Sequence, residues 1–419
     1  MQKERPALLD ELAWRGLLHQ HTDGLAEALA TRSMSVYCGF DPTASSMHVG
    51  SLVPVMGLMH LQRAGHKPFA VVGGGTGLIG DPSGKTAERQ LNTVETVEEN
   101  SRALKKQLER FLDFTGPSAA EMRNNADWLR PLGAIEFMRD IGKHFTVNYM
   151  LAKESVQQRL EAGISYTEFS YMLLQAYDYR ELFRRDGVTL QVGGSDQWGN
   201  ITAGLELIRR TDGGEAHALT FPLVTNSAGS KFGKTESGNV WLDPERTSPY
   251  QFYQFWVNID DRDVGRYIRF FTLLSRQEIE ALESRMADRP QDRDAQQALA
   301  RDVTGRVHGV DAARVAEDVS RLLFGKGEPA SLSTEALDAL CREVPFTELP
   351  SLPSVVDGLV ALGLAASKGA ARRLVEQGGA SVNGRRVTSV ADPVGEALHG
   401  RYYLLKKGAR DYGIIKTSG

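Results

Sequence analysis

Apolar positions along this chain come in two rhythms. Ser35–Phe40 (SVYCGF) and Lys67–Val72 (KPFAVV) are short, nearly continuous apolar runs, and 189–192 (TLQV) is a third. Each is followed by a polar or glycine-rich turn, and then by a stretch with apolar residues every three to four positions, over 48–64, 86–114 and 198–210. Runs of the first kind predict strands buried on both faces; the second rhythm predicts amphipathic helices. Strand, loop and helix in this repeated order predict an α/β fold with a Rossmann-like parallel sheet. From 248 to about 323 the period is helical with no strand signal, which predicts an all-helical domain. The stretch 326–350 mixes Pro, Ser and Gly around a short helix and reads as a linker. Beyond it, 355–362 and 369–377 read as short helices. SVNGRRV, with Asn383-Gly384 as a type I′ turn signal, and RYYLLKKGARDYGIIK read as hairpins. That terminal unit is a small α+β module.

Composition narrows the class. With 419 residues, 41% hydrophobic and 24% charged, the chain reads as a soluble protein of two or three domains. No apolar run approaches the roughly 18–20 residues that span a bilayer. The N-terminal stretch is acidic and amphipathic, without the apolar core or small-residue cleavage site of a secretory signal. Cys38 and Cys341 lie far apart and belong to no metal-ligand spacing, so a reducing cytoplasm and no bound metal are expected. The net charge of -4 hides an asymmetry: residues 351–419 carry ten Lys/Arg against five Asp/Glu, net +5, and the remainder is net -9. A basic module on an acidic body fits a polyanionic partner for that module, or a solvated tail.

Two glycine patterns mislead. Gly75-Thr76-Gly77-Leu78-Ile79-Gly80 fits the dinucleotide fingerprint, but the turn Asp81-Pro82-Ser83-Gly84 stands where the helix should run. Gly84-Lys85-Thr86 imitates the end of a phosphate loop, yet the first glycine of that template falls at Ile79. What survives is a loop that a ligand can approach closely, carrying Asp81 and Lys85.

Four segments carry chemistry together. Asp41-Pro42-Thr43 and His48-Val49-Gly50-Ser51 stand between the first sheet strand and its helix, where unpaired N–H groups attract phosphate. A histidine that merely caps the helix would look the same. In 226–238 (NSAGSKFGKTESG), Lys231 and Lys234 ride a glycine-rich loop, suited to a leaving group whose charge grows. A polar surface loop would look the same. Over 165–179, Tyr171, Gln175 and Asp178 fall at i, i+4 and i+7, while Phe169, Met172, Leu173 and Ala176 can pack inward. That polar stripe suits water, or a small zwitterion needing a phenol, an amide and a carboxylate. Finally, Gln191 to Gln197 (QVGGSDQ) ends a strand, where ligands of open α/β sheets bind and an Asp can hold ribose hydroxyls.

Taken together, VYCGFDPTASSMHVGS, GGGTGLIGDPSGKTAERQLN, YTEFSYMLLQAYDY, QVGGSDQWGNITAGLELIRR and KFGKTESG resemble the bacterial tyrosyl-tRNA synthetases of class I, nearly end to end. HVGS stands where class I enzymes carry HIGH, and KFGKT where they carry KMSKS. Ser51 replaces the second histidine of that signature, and Ala126 stands where many relatives have Tyr. The resemblance implies a Rossmann-like catalytic domain over 1–223, a lysine-loop and helical anticodon-arm domain over 224–325, a linker over 326–350 and an S-four-type RNA-binding domain over 351–419. It implies a tyrosine site of Tyr37, Asp81, Tyr171, Gln175, Asp178 and Gln197. ATP contacts would come from Gly39, Asp41, His48, Gly50, Ser51, Gly193, Asp196 and Lys234. Thr43, His48, Lys231, Lys234 and Thr235 would meet the phosphates, with Lys85 and Arg89 as auxiliary cations. Lys368, Arg372, Arg373, Arg385 and Arg386 would face tRNA. The expected reaction joins L-tyrosine to ATP, with Mg2+, and passes the tyrosyl group to tRNA(Tyr), in a homodimer whose contact lies around 137–163. Rival readings are a tryptophanyl-tRNA synthetase, a catalytically dead RNA-binding relative, and an oxidoreductase resting on the glycine fingerprint.

Overall fold

A computed structural model describes residues 7–83, 91–160, 163–229, 232–235 and 238–418. It divides the chain into two compact units: Met1–Thr247 with Ile259–Leu299, and Ser248–Asn258 with Ala300–Gly419. The division runs through the helical stretch, so 224–325 does not form a body of its own. No helix among the described residues is long and apolar enough to cross a membrane.

The first unit is built on a six-stranded sheet. Its strands are β1 (Gln20–His21), β2 (Ser35–Phe40), β3 (Lys67–Val72), β4 (Glu121–Asn124), β5 (Val188–Gly194) and β6 (His217–Phe221), in the order β1-β6-β5-β2-β3-β4. All neighbours run parallel except β1 against β6. The central strands are buried along nearly their whole length, which explains their continuous apolar letters. Strand order reverses between β2 and β5, where Tyr37 pairs with Gln191 and Cys38 with Val192. A reversal of this kind opens a crevice at the carboxyl ends of the two strands.

Two helices fix what enters that crevice. Tyr166–Asp186 starts at Ser165, whose hydroxyl accepts from the Glu168 N–H, and ends on Gly187 in the left-handed region at φ 62°. It packs along Trp198–Asp212, where a Cβ on Gly204 would lie 2.9 Å from the Tyr179 ring. Tyr179 is fully buried and donates to the carbonyl of His217 at 2.8 Å, which pins the helix to β6. Met172, Leu173 and Ala176 fill the core on one side of this helix, leaving the stripe of Tyr171, Gln175 and Asp178 to the crevice. Farther along, β7 (Lys234–Thr235) and β8 (Gly238–Asn239) form a short hairpin. Phe232, at its base, stacks on Phe271 at 5.1 Å and tilts against Tyr267 at 4.7 Å.

The second unit carries a five-stranded sheet of β9 (Phe346–Leu349), β10 (Ala380–Val382), β11 (Arg385–Val387), β12 (Tyr402–Lys407) and β13 (Asp411–Thr417), in the order β11-β10-β12-β13-β9. Asn383 (φ 50°) and Gly384 (φ 84°) make the β10–β11 turn with both central residues left-handed, as the Asn-Gly signal predicts. The span expected to be a linker is structured. Thr334–Leu340 buries Ala336, Leu337 and Leu340 beside Leu322, Tyr402 and Ile414, and β9 joins the sheet parallel to β13. Its Pro and Ser residues punctuate these short elements instead of keeping the chain extended.

Gly57 of the helix Leu52–Arg63 tests the packing of the first unit. A Cβ there would meet the Phe221 ring at 2.0 Å. Alanine is favoured over glycine in a helix by about 1 kcal/mol, but overpacking a filled core costs about 1–3 kcal/mol. Gly57→Ala should therefore lower the thermal midpoint. A raised midpoint would mean that the Phe221 ring moves aside freely.

Candidate active site

At the strand reversal lies a cavity of about 310 Å³. Its wall includes Tyr37, Gly39 and Asp41 from β2 and its end, Thr43 and Gly50 after it, Asp81 from the glycine loop, Tyr171, Gln175 and Asp178 from the long helix, and Gly193, Asp196 and Gln197 from the end of β5. Residues from three of the four segments, joined by Asp81 of the glycine loop, thus line one cavity, and none from 226–238 does so among the described residues. His48 and Ser51 flank Gly50 but are not part of the wall. Lys231, Lys85 and Arg89 lie outside the described residues, and for Lys234 and Thr235 only the backbone strand is described.

One end of the cavity holds a buried carboxylate. Asp178, 2% exposed, accepts from Trp128 Nε1 on one oxygen at 2.6 Å and from Asn125 Nδ2 on the other at 2.8 Å. Burial pushes its carboxyl up to about 7 against these two hydrogen bonds, with Asp41 and Glu181 adding to the rise. Tyr37 is equally buried, and burial first, then Asp178, raises its hydroxyl well above the ordinary phenol value. Neither Asn125 nor Trp128 was expected. The signal was Trp128 itself, since a buried indole N–H requires an acceptor.

Beside this pair, Asp41 gathers a second group. It accepts from Tyr171 Oη at 2.7 Å and from Thr76 Oγ1 at 2.7 Å. Asn125 Nδ2 also donates to Thr76 Oγ1 at 2.9 Å, joining the two carboxylates through neutral side chains. Gly73 is a spatial requirement here, because a Cβ would sit 2.0 Å from Asp41 Oδ1. Asp81 accepts from Gln197 Nε2 at 2.7 Å, while Asn200 Nδ2 donates to Gln175 Oε1 at 3.0 Å and to Gln197 Oε1 at 3.2 Å. Asn200, another residue the sequence did not single out, thereby sets which way both glutamine amides point. Gln191 lines the wall at 1% exposure with its Oε1 unpaired among the described residues.

At the other end, His48 Nδ1 accepts from the Gly50 N–H at 3.0 Å, so a neutral ring carries its proton on Nε2. It is the capping histidine of the bland reading, and capping is what sets its tautomer. The missing Cβ of Gly50 leaves room for that imidazole, whose Cε1 would otherwise lie 2.8 Å away. Gly233 packs on the same segment: it adopts φ 82°, and a Cβ would meet Val49 at 2.5 Å. The base of the lysine hairpin therefore rests on the H-x-G-S segment.

Comparisons with known proteins show the family. The family described as tRNA synthetases class I (W and Y) matches residues 29–325, and the tyrosine–tRNA ligase SYY-like C-terminal domain matches 336–415. The chain is 55% identical to a tyrosine–tRNA ligase of Anaeromyxobacter dehalogenans strain 2CP-1, covering 98% of this chain and 99% of the relative. It belongs to the class I tyrosyl-tRNA synthetase family. Identity to the Bacillus caldotenax tyrosine–tRNA ligase is 52%, over 98% of this chain and 99% of that protein. Among solved structures, a C-terminally truncated mitochondrial tyrosyl-tRNA synthetase of Aspergillus nidulans superposes with a TM-score of 0.69 at 30% identity, covering 77% of this chain and 96% of the other. A tryptophanyl-tRNA synthetase of Encephalitozoon cuniculi, at 14% identity and a TM-score of 0.54 over 74% of this chain and 92% of that one, shares the fold.

The raised Asp178 carboxyl has a measurable consequence. In an unfolded chain an aspartate titrates near its ordinary value of about 3.9. Between there and about 7 the folded chain holds a proton that the unfolded chain has released, so stability from this group falls as pH rises through that window. Asp178→Asn does not titrate. Its thermal midpoint should gain on that of the parent chain from about pH 5 to about pH 7 and keep a constant offset above about pH 8. A difference that stays flat throughout would mean that Asp178 is ionised in the folded chain across the whole range.

Proposed function

We propose that L-tyrosine and ATP meet in this cavity, and that the enzyme makes tyrosyl-adenylate and passes the tyrosyl group to the 3′-terminal ribose of tRNA(Tyr). The observation that carries the reading is that Tyr37 and Asp178, the pair suited to a phenol, line the same cavity as Gly193, Asp196 and Gly50. A phenol donates to the ionised Asp178 carboxylate and accepts from Tyr37. Phenylalanine would make neither bond and so forfeit both, an effect for which this enzyme family is the standard example. Because Tyr171 gives its proton to Asp41, its oxygen is left as an acceptor, and with Asp81 and Gln175 it suits the substrate ammonium.

Beyond the amino acid, Gly193 and Asp196 suit the ribose, Gln197 the carboxylate region, and Gly39, Asp41, Gly50 and Ser51 the rest of the adenosine. ATP enters as its magnesium salt. The tyrosine carboxylate, ionised at neutral pH, attacks the α-phosphorus and expels pyrophosphate without a general base. The rate then comes from alignment and from cations and N–H donors on the departing phosphates. Thr43, His48, Lys231, Lys234 and Thr235 supply these, with Lys85 and Arg89 farther out. The terminal ribose hydroxyl of tRNA next attacks the adenylate carbonyl and releases AMP.

Two further parts of the reading rest on the surface. Ile135, Met138, Val147 and Tyr166 are exposed apolar residues within one stretch, with Ile135 73% and Tyr166 74% exposed, which supports a homodimer contact there. Lys368, Arg372, Arg373, Arg385 and Arg386 are exposed on the helix Lys368–Glu376 and the β10–β11 hairpin, which supports a tRNA backbone contact. The unpaired cysteines fit a reducing cytoplasm.

ATP–pyrophosphate exchange tests the core of this. Tyrosine should support exchange, and tryptophan and phenylalanine should not. Lys234→Ala should lower the exchange rate by about 100-fold or more while tyrosine affinity stays within about two-fold; equal losses in both would sink the assigned role. For the terminal module, Arg372→Gln with Arg373→Gln should weaken tRNA binding and reduce its salt slope by about two, leaving exchange intact. An unchanged salt slope would remove that helix from the tRNA contact.

A further inference from the structure

Trp241 lies at the joint between the two signature segments. Residues 46–49 run antiparallel to 240–243: Val49 N–H donates to Val240 at 3.0 Å, Leu242 N–H to Met47 at 2.9 Å, and His48 bridges Trp241. Across that bridge the Trp241 ring meets the His48 imidazole edge-on, with centroids 6.2 Å apart and planes at 73°. The Arg246 guanidinium lies 3.3 Å from the centre of the Trp241 ring. A tight turn brings it back there, with the Asp243 carbonyl accepting from Arg246 N–H at 3.1 Å and from Thr247 N–H at 3.0 Å. Thr247 Oγ1 in turn accepts from Trp241 N–H at 3.0 Å. On its other side the strand reaches the lysine hairpin, where Val240 N–H donates to Gly233 at 3.0 Å.

An imidazole that must donate Nε2–H to a phosphate needs its ring plane fixed. The Gly50 amide on Nδ1 fixes the tautomer, and the plane of the ring is set by what packs against it. An aromatic edge against the ring fixes that plane, and a cation stacked on the indole holds the indole in turn. We infer that Trp241, held by Arg246, is a positioning residue for adenylate formation, fixing the His48 imidazole beside the departing pyrophosphate. The inference rests on the phosphate role proposed for His48.

The test uses the full-length enzyme, single-turnover adenylate formation, and tyrosine binding by equilibrium dialysis. Trp241→Ala should slow adenylate formation by about 10-fold or more with tyrosine affinity within about two-fold, and Trp241→Phe should restore most of the rate. In a His48→Ala background, Trp241→Ala should cost less than about two-fold, because its effect passes through the imidazole. A full loss in both backgrounds would overturn the inference, as would a rate loss matched by weaker tyrosine binding. If Trp241→Ala fails to bind tyrosine at all, Arg246→Met, at an exposed position, decides by the same cycle: a loss confined to the His48 background supports the inference, and equal losses in both overturn it. His48→Ala as fast as the parent would refute the phosphate role itself, a result distinct from failure of the positioning alone.

Discussion

A carboxylate with almost no exposure, held by two neutral donors, is the constraint around which this site is built. Asp178 faces the side-chain amide of Asn125 and the indole of Trp128. Neutral donors satisfy its lone pairs without cancelling its charge, so it stays poised between protonation states at about 7. A cation in their place would hold it ionised and compete with any ligand hydroxyl. That arrangement demands support from three elements: the long helix that carries Asp178, the short helical turn after β4 that carries Asn125 and Trp128, and the sheet on which both rest. The anchoring of Tyr179, the next residue along, to the His217 carbonyl shows how tightly that helix is indexed to the sheet.

From the same constraint follows the density of glycine after β3. Two carboxylates, two phenols and an amide network in one crevice leave the backbone little width. A Cβ on Gly73 would strike Asp41, and one on Gly74 or Gly75 would crowd Asn124 or Leu129. These glycines resemble a dinucleotide fingerprint because both uses require backbone without side chains, one beside a pyrophosphate and one beside the protein's own polar groups. The turn at Gly80, left-handed at φ 86°, diverts the chain where the fingerprint would continue into a helix.

Much of this was legible in the letters. Strand-then-glycine punctuation gave the parallel sheet, and helical spacing put Tyr171, Gln175 and Asp178 on one face before any contact was known. The Asn-Gly turn of the terminal module followed from backbone preference alone. What escaped was of a different kind. Asn125 and Trp128 act on a helix some fifty residues away, and a pairing over that separation leaves no local pattern. Asn200 lies one turn beyond Gln197 and reads as an ordinary helix polar residue until the facing Gln175 is known. The structured span between 326 and 350 was hidden because Pro and Ser flank short elements as often as they mark linkers. The division through the helical stretch has a similar cause, since helical period does not say against which body a helix packs.

The two ends of the crevice obey opposite electrostatic rules, and that contrast explains how they can share one cavity. At the Asp178 end, carboxylates are buried among neutral dipoles, which suits the cationic ammonium and neutral phenol proposed for it. At the H-x-G-S end, the wall turns to Thr43 and Gly50, with His48 beside them and its proton directed to Nε2, a combination suited to anions. A molecule carrying an ammonium at one end, bonded through a carboxylate to a phosphate at the other, satisfies both rules at once. Either half alone would satisfy only one of them. On the proposed reading, tyrosine and ATP held on these two surfaces meet with carboxylate and α-phosphorus between them, and only the contacts that strengthen as that bond forms raise the rate.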